Sequence, residues 1–173
     1  MAGRLAGKTA LVADWVHGCG LASAWLTLDE SDRDPAQLCA ALISAVATLA
    51  PSVADRAMAV VSSPDGPMGA LRVLTEELEV AEGDEAVLVV DDLHRVDDSP
   101  ASQSLLAAFV ENKPNALHLV LLGRRRPALP MDRLRATGRL ADVTFDVLRF
   151  SEEEALEMLA GLCPDTVPPD LRG

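Results

Sequence analysis

Glu85-Ala86-Val87-Leu88-Val89-Val90-Asp91-Asp92 is the stretch whose reading decides the fold. An unbroken apolar run, Ala86 to Val90, stands between acids. A run this short and this uniformly apolar suits a strand covered on both faces, because a half-exposed strand would alternate with polar residues. The two acids that close it would stand at the strand's carboxyl end, where open α/β sheets hold their ligands.

Working outward, Ala24–Leu28, Leu117–Leu122 and Val143–Val147 read as further strands. Between them lie stretches of helical periodicity. Lys8–His17 carries Leu11, Val12, Trp15 and Val16 at helical spacing and is ended by Gly18 and Gly20. Ala36–Leu49 follows the acidic turn Asp29 to Asp34, with Pro35 where a first turn tolerates it. Met68–Val80 is amphipathic, and Ser99 can cap a helix from Pro100 to Glu111. Ser151-Glu152-Glu153-Glu154 is a capping box opening a helix over Glu152–Gly161. Pro51–Pro67 reads as loop, with a break at Ser62–Pro67 and room for a short helix before it. Strands alternating with helices predict an α/β fold: a mainly parallel sheet with helices on both faces. One core domain is expected over residues 1–162, and a loose Pro-rich tail over 163–173.

Composition narrows the function classes. Of 173 residues, 49% are apolar, which excludes a disordered chain. Aromatics are 3% and Tyr is absent, so the core must be Leu, Val and Ala, and Trp15 and Trp25 are expected in it. A formal net charge of −12 argues against direct nucleic-acid contact. Arginines cluster at Arg124, Arg125, Arg126, Arg133, Arg135 and Arg139, where a solvated basic face is the plain reading. Cys19, Cys39 and Cys163 lie far apart, giving no zinc spacing and arguing against a disulfide framework. A cytoplasmic protein is expected, without signal peptide or membrane span.

Three segments can carry chemistry. Gly7-Lys8-Thr9, opening a helix, is the end of a phosphate-binding loop G-x-x-x-x-G-K-[ST]. Backbone N–H groups and the helix N-terminus cradle phosphates there. Lys8 would reach the β- and γ-phosphates, and the Thr9 hydroxyl would bind Mg²⁺. The motif's first glycine position holds Ala2, with Gly3 one residue late. At the carboxyl end of the Ala86–Val90 strand, Asp91 would hold Mg²⁺ and Asp92 would polarise an attacking water. Arg124, after the strand Leu117–Leu122, would sense the γ-phosphate. His94 is first a local hydrogen-bonding residue and second a candidate base.

Gly7-Lys8-Thr9-Ala10-Leu11-Val12, Ala24-Trp25-Leu26-Thr27-Leu28-Asp29, Asp34-Pro35, Leu88-Val89-Val90-Asp91-Asp92-Leu93-His94, Gly123-Arg124-Arg125-Arg126-Pro127-Ala128-Leu129-Pro130 and Leu148-Arg149-Phe150-Ser151 occur in that order. This set resembles the ATPase domain of STAND proteins, and more narrowly of the MalT-type large LuxR-family bacterial transcription regulators. Their counterparts are a GKTTLL helix, an AWLSLD strand, a DP helix start, a DD-[YL]-H Walker B, a TSR-x-PPL segment and an LRFT-x-EE helix start. The resemblance implies a P-loop NTPase-like three-layer sandwich, ATP with Mg²⁺ as cofactors, an ATP-bound active state and slow hydrolysis that resets it. It also implies partners in the remaining domains of a larger regulator, or self-association.

The family's strand before the loop has no counterpart here, and its loss is expected to leave a gap in the sheet centre in the family's strand order. Arg4 and Leu5 replace the small residues of the family's loop. The chain alone is therefore expected to bind ATP no better than high micromolar, with negligible turnover. The alternative is a remnant or interaction module that no longer binds nucleotide. A small P-loop kinase would need a substrate site and lid, for which no candidate segment stands out.

Overall fold

A computed structural model describes residues 6–80, 85–127, 129, 131–136 and 140. The chain divides into two compact units, Met1–Pro130 and Met131–Gly173. The first holds helix α1 (Ala6–Cys19), strand β1 (Ala22–Thr27), helices α2 (Pro35–Ala47), α3 (Pro51–Val61) and α4 (Gly66–Val80), strand β2 (Ala86–Asp91), helix α5 (Pro100–Asn112) and strand β3 (Leu117–Leu121). In the second, the described helix is the short α6 (Asp132–Ala136), where Arg135 pairs with Asp132 at 3.2 Å. The expected strand Val143–Val147, the helix Glu152–Gly161 and the boundary at 162 lie outside the described residues.

The three strands form a parallel sheet in the order β1-β2-β3. Ala22 pairs with Ala86 and Thr27 with Asp91, and Ala86 in turn pairs with Leu117 and Val90 with Leu121. The α/β reading with a parallel sheet therefore holds. No gap separates these three strands, and any strand before α1 would fall outside the described residues.

β2 is the middle strand, and every residue from Val87 to Asp91 is buried. Its side chains alternate between faces. Leu88 and Val90 join the main core cluster, whereas Val87 and Val89 are equally buried outside it. That is why the run is apolar without interruption. Leu38, Leu42, Ile43 and Val46 of α2, Leu71 and Leu74 of α4, and Leu105, Leu106 and Phe109 of α5 complete the core.

Two expectations need correction. Pro51–Val61 is an 11-residue helix, with Pro51 at its start and Val53, Ala54 and Ala57 buried on one face. The helix is longer than the short one expected, and Pro51 can open it because its missing N–H would be unpaired in the first turn anyway. The other concerns Trp15, which is 50% exposed, with Leu11 at 44%. None of the α1 side chains from Lys8 to Cys19 is buried. Helical spacing identified the helix but could not identify what covers it. Trp25 is half-buried.

Candidate functional site

Asp91 is the last residue of β2 and is 9% exposed. Its carbonyl accepts the Leu28 N–H at 3.0 Å, which carries the β1–β2 pairing one step past the strand ends. Both of its carboxylate oxygens are engaged: Oδ1 accepts the Asp92 N–H at 2.7 Å, and Oδ2 accepts the Thr9 hydroxyl at 3.0 Å. The Thr9–Asp91 bond joins residues 82 apart in sequence.

Thr9 and Lys8 stand in the first turn of α1, where backbone N–H groups lack helical partners. Gly7 is the second residue of the same helix. The Lys8 amino group donates to the Gly123 carbonyl at 3.2 Å, a neutral acceptor. Gly123 follows β3 directly. A Cβ there would meet the Arg125 carbonyl at 3.2 Å and Leu93 Cβ at 3.5 Å, so the backbone approach is tight enough to favour glycine. Arg124 is exposed on the bend just after it, followed by exposed Arg125 and Arg126.

Asp92 has φ 58° and ψ 34°, a left-handed conformation that among non-glycine residues Asp tolerates comparatively well. The flanking Leu93 N–H donates to the Leu122 carbonyl at 3.0 Å, and the Asp92 carbonyl accepts the Arg95 N–H at 2.9 Å. Leu122 N–H donates to the Val90 carbonyl at 2.8 Å. The chain leaving β2 is thus pinned to the end of β3. His94 follows within a 3₁₀ turn, Leu93–Val96, with its Nδ1 3.5 Å from Asp92 Oδ1.

A second set of contacts, which the sequence reading did not identify, ties the loop after β1 to the loop after β2. Asp29 caps a 3₁₀ turn over Glu30–Arg33: its side chain accepts the Ser31 N–H while Asp32 accepts the Asp29 N–H at 2.7 Å. The Ser102 hydroxyl, buried in α5, is shared between the carbonyls of Asp32 and Arg33, both at 2.9 Å. The Ser99 hydroxyl donates to the Arg33 carbonyl at 2.7 Å, and Arg33 Nε donates to the Arg95 carbonyl at 3.1 Å. Burial pushes the Asp32 carboxyl above its usual value, against the lowering effect of the Asp29 N–H. Asp29 is held low by hydrogen bonds from the Ser31 side chain and backbone. The only signal for this clasp in the sequence was Ser99, read correctly as the α5 cap.

The structure thus brings Thr9 to Asp91 and Lys8 to Gly123, with Arg124 next to the latter. Asp92 stands beside Asp91 at the strand end. A hydroxyl and a carboxylate are hard oxygen ligands suited to Mg²⁺. An ammonium beside the first turn of a helix suits a phosphate. The donor set therefore fits a magnesium–nucleotide pair.

No family model matches the chain. It is 32% identical over 158 residues to the serine/threonine-protein kinase PknK of Mycobacterium tuberculosis (strain H37Rv), a match covering 88% of this chain and 14% of that protein. It is 29% identical over 152 residues to the HTH-type transcriptional regulator MalT of Yersinia enterocolitica, and 30% identical over the same length to MalT of Serratia proteamaculans. Each of those matches covers 86% of this chain and 16% of the regulator. The chain therefore spans about one seventh of the length of these curated relatives.

Proposed function

We propose that this chain is an ATP-binding switch module of a larger regulator of the STAND, MalT-like type, with weak or no hydrolysis on its own. The observation that carries the reading is the Thr9–Asp91 bond. Two motif fragments 82 residues apart in sequence meet in the pair that a magnesium–nucleotide site requires. The relatives add support. Nearly the same share of this chain matches a protein kinase and a transcriptional regulator, so the common stretch reads as a module shared by both rather than as the part that sets them apart.

In this proposal Gly7 and the start of α1 receive the phosphates, Lys8 leaves the Gly123 carbonyl for the terminal phosphates, and Thr9 and Asp91 hold Mg²⁺. Bound ATP supplies the phosphoanhydride whose cleavage would reset the switch. Asp92 accepts a proton from water, and Arg124 meets the charge of the γ-phosphate. The remaining domains of a longer regulator, or a second copy, would read the change. No helix among the described residues is long and apolar enough to cross a membrane, in keeping with a cytoplasmic role.

Titration of the purified chain with ATP, with and without Mg²⁺, tests this reading. Saturable binding that needs Mg²⁺ and is weakened by Asp91→Asn is expected. No binding at millimolar MgATP would instead support a remnant or interaction module.

A further inference from the structure

The Asp92 backbone is fixed on both sides, yet its carboxylate lacks an equally firm partner. Its own N–H goes to Asp91 Oδ1, its carbonyl to Arg95 N–H, and the next N–H to the Leu122 carbonyl. The side chain remains 28% exposed, beside a second carboxylate of like charge. Facing it is His94 Nδ1, which has no solvent exposure and no hydrogen-bond partner among the described residues. Asp92 Oδ1 lies 3.5 Å from it, just beyond normal hydrogen-bond length. A buried ring nitrogen with nothing to bond is unfavourable, so a bond across this gap would be favoured. If Nδ1 were the bare nitrogen of the ring, two lone pairs would face each other. With Nδ1 protonated, the contact becomes a charge-assisted bond.

We propose that His94 is a positioning residue for Asp92: its Nδ1–H binds Asp92 Oδ1, draws that carboxylate away from Asp91, and leaves Oδ2 to accept a proton from water. This rests on the nucleotide-site reading above. The left-handed turn at Asp92 is part of the device, because it brings residues 92 and 94 onto one side of the 3₁₀ turn while Asp91 stays with Thr9.

The ring proton can be read directly. Long-range ¹H–¹⁵N correlation on the full chain with labelled histidine, in mildly alkaline buffer, is expected to show His94 as the Nδ1–H tautomer. Asp92→Gly keeps the left-handed backbone, because glycine adopts it freely, and removes only the carboxylate. That variant is expected to shift His94 to the Nε2–H tautomer. The Asp92 carboxyl carbon resonance should move in His94→Ala and return in His94→Asn, whose amide nitrogen can stand where Nδ1 stood. A wild-type Nε2–H tautomer, no response to Asp92→Gly, or no rescue by asparagine would overturn the proposal. MgATP calorimetry on the same samples separates the two readings. Binding with the wrong tautomer removes only the role of His94. The expected tautomer without any binding reduces the contact to a structural pair and overturns the positioning role along with the nucleotide site.

Discussion

The two halves of the candidate site are built in opposite ways. The acidic half hangs from β2, the central strand, whose residues from Val87 to Asp91 are all buried. Backbone bonds to Leu28 and Leu122, and the serine clasp of α5, hold the loops around it. The phosphate half stands on α1, which buries none of its side chains from Lys8 to Cys19 and meets the other half through the Lys8–Gly123 and Thr9–Asp91 bonds. Hydrophobic burial scales with apolar area removed from water, so β2 draws its stability from the fold while α1 lends it little. On the proposed reading, the acidic half is preformed and the phosphate half would be fixed at the moment of binding.

The strongest way to break this contrast is to damage each half in turn. Leu105→Ala empties a fully buried position in α5 and is expected to cost about 2–5 kcal/mol in urea unfolding. Trp15→Ser, although it removes a larger side chain, should stay within about 0.5 kcal/mol because half of that tryptophan is already in water. A loss for Trp15→Ser matching that of Leu105→Ala would show that α1 is packed as firmly as the core.

A smaller effect should separate binding from folding. Thr9→Val removes the hydroxyl that reaches Asp91 at 3.0 Å and keeps the side-chain shape. MgATP affinity is expected to fall about tenfold, or roughly 1.4 kcal/mol, while the unfolding midpoint stays near that of the wild type. Equal losses of stability and affinity would mean that the bond holds α1 to the sheet instead of serving the ligand.

Much of this was legible in the sequence for a physical reason. Ala86–Val90 is apolar throughout because β2 is covered on both faces, so strand and parallel sheet follow from one run, while its middle place among the three strands did not. Gly7-Lys8-Thr9 and Asp91-Asp92 stood out as motif fragments, and the Thr9–Asp91 bond brings one residue of each together. What the sequence hid depends on partners far away in the chain. Ser102 looks like any helix serine until it is seen donating to the carbonyls of Asp32 and Arg33. The exposure of Trp15 depends on what lies against α1, which periodicity does not record. The left-handed backbone of Asp92 has no signature stronger than aspartate's tolerance of it.

Within the firm half, Ser102→Ala should cost about 1–2 kcal/mol in thermal or urea unfolding, because the buried Asp32 carbonyl loses the donor that reaches it. No change would mean that Ser99 alone holds the clasp. Smallest is a pH effect at Asp32. Its carboxyl titrates above the ordinary 3.8 because it is buried, so the folded state binds more protons there than the unfolded state. Its contribution to stability is full below 3.8 and lost as pH rises through the raised value. Asp32→Asn, which cannot ionise, should therefore gain on the wild type as pH rises from about 4 to 6. A stability difference that stays constant over that range would remove Asp32 from the account.

The central claim is that the loosely held end of α1 and the firm end of β2 together form a nucleotide site. Calorimetry of the whole chain with MgATP, run on wild type and on Lys8→Ala, tests it most directly. The account predicts saturable wild-type binding no tighter than high micromolar, abolished in Lys8→Ala. Low-micromolar binding by the wild type would contradict the looseness of α1. The same isotherm for both proteins would contradict the site itself.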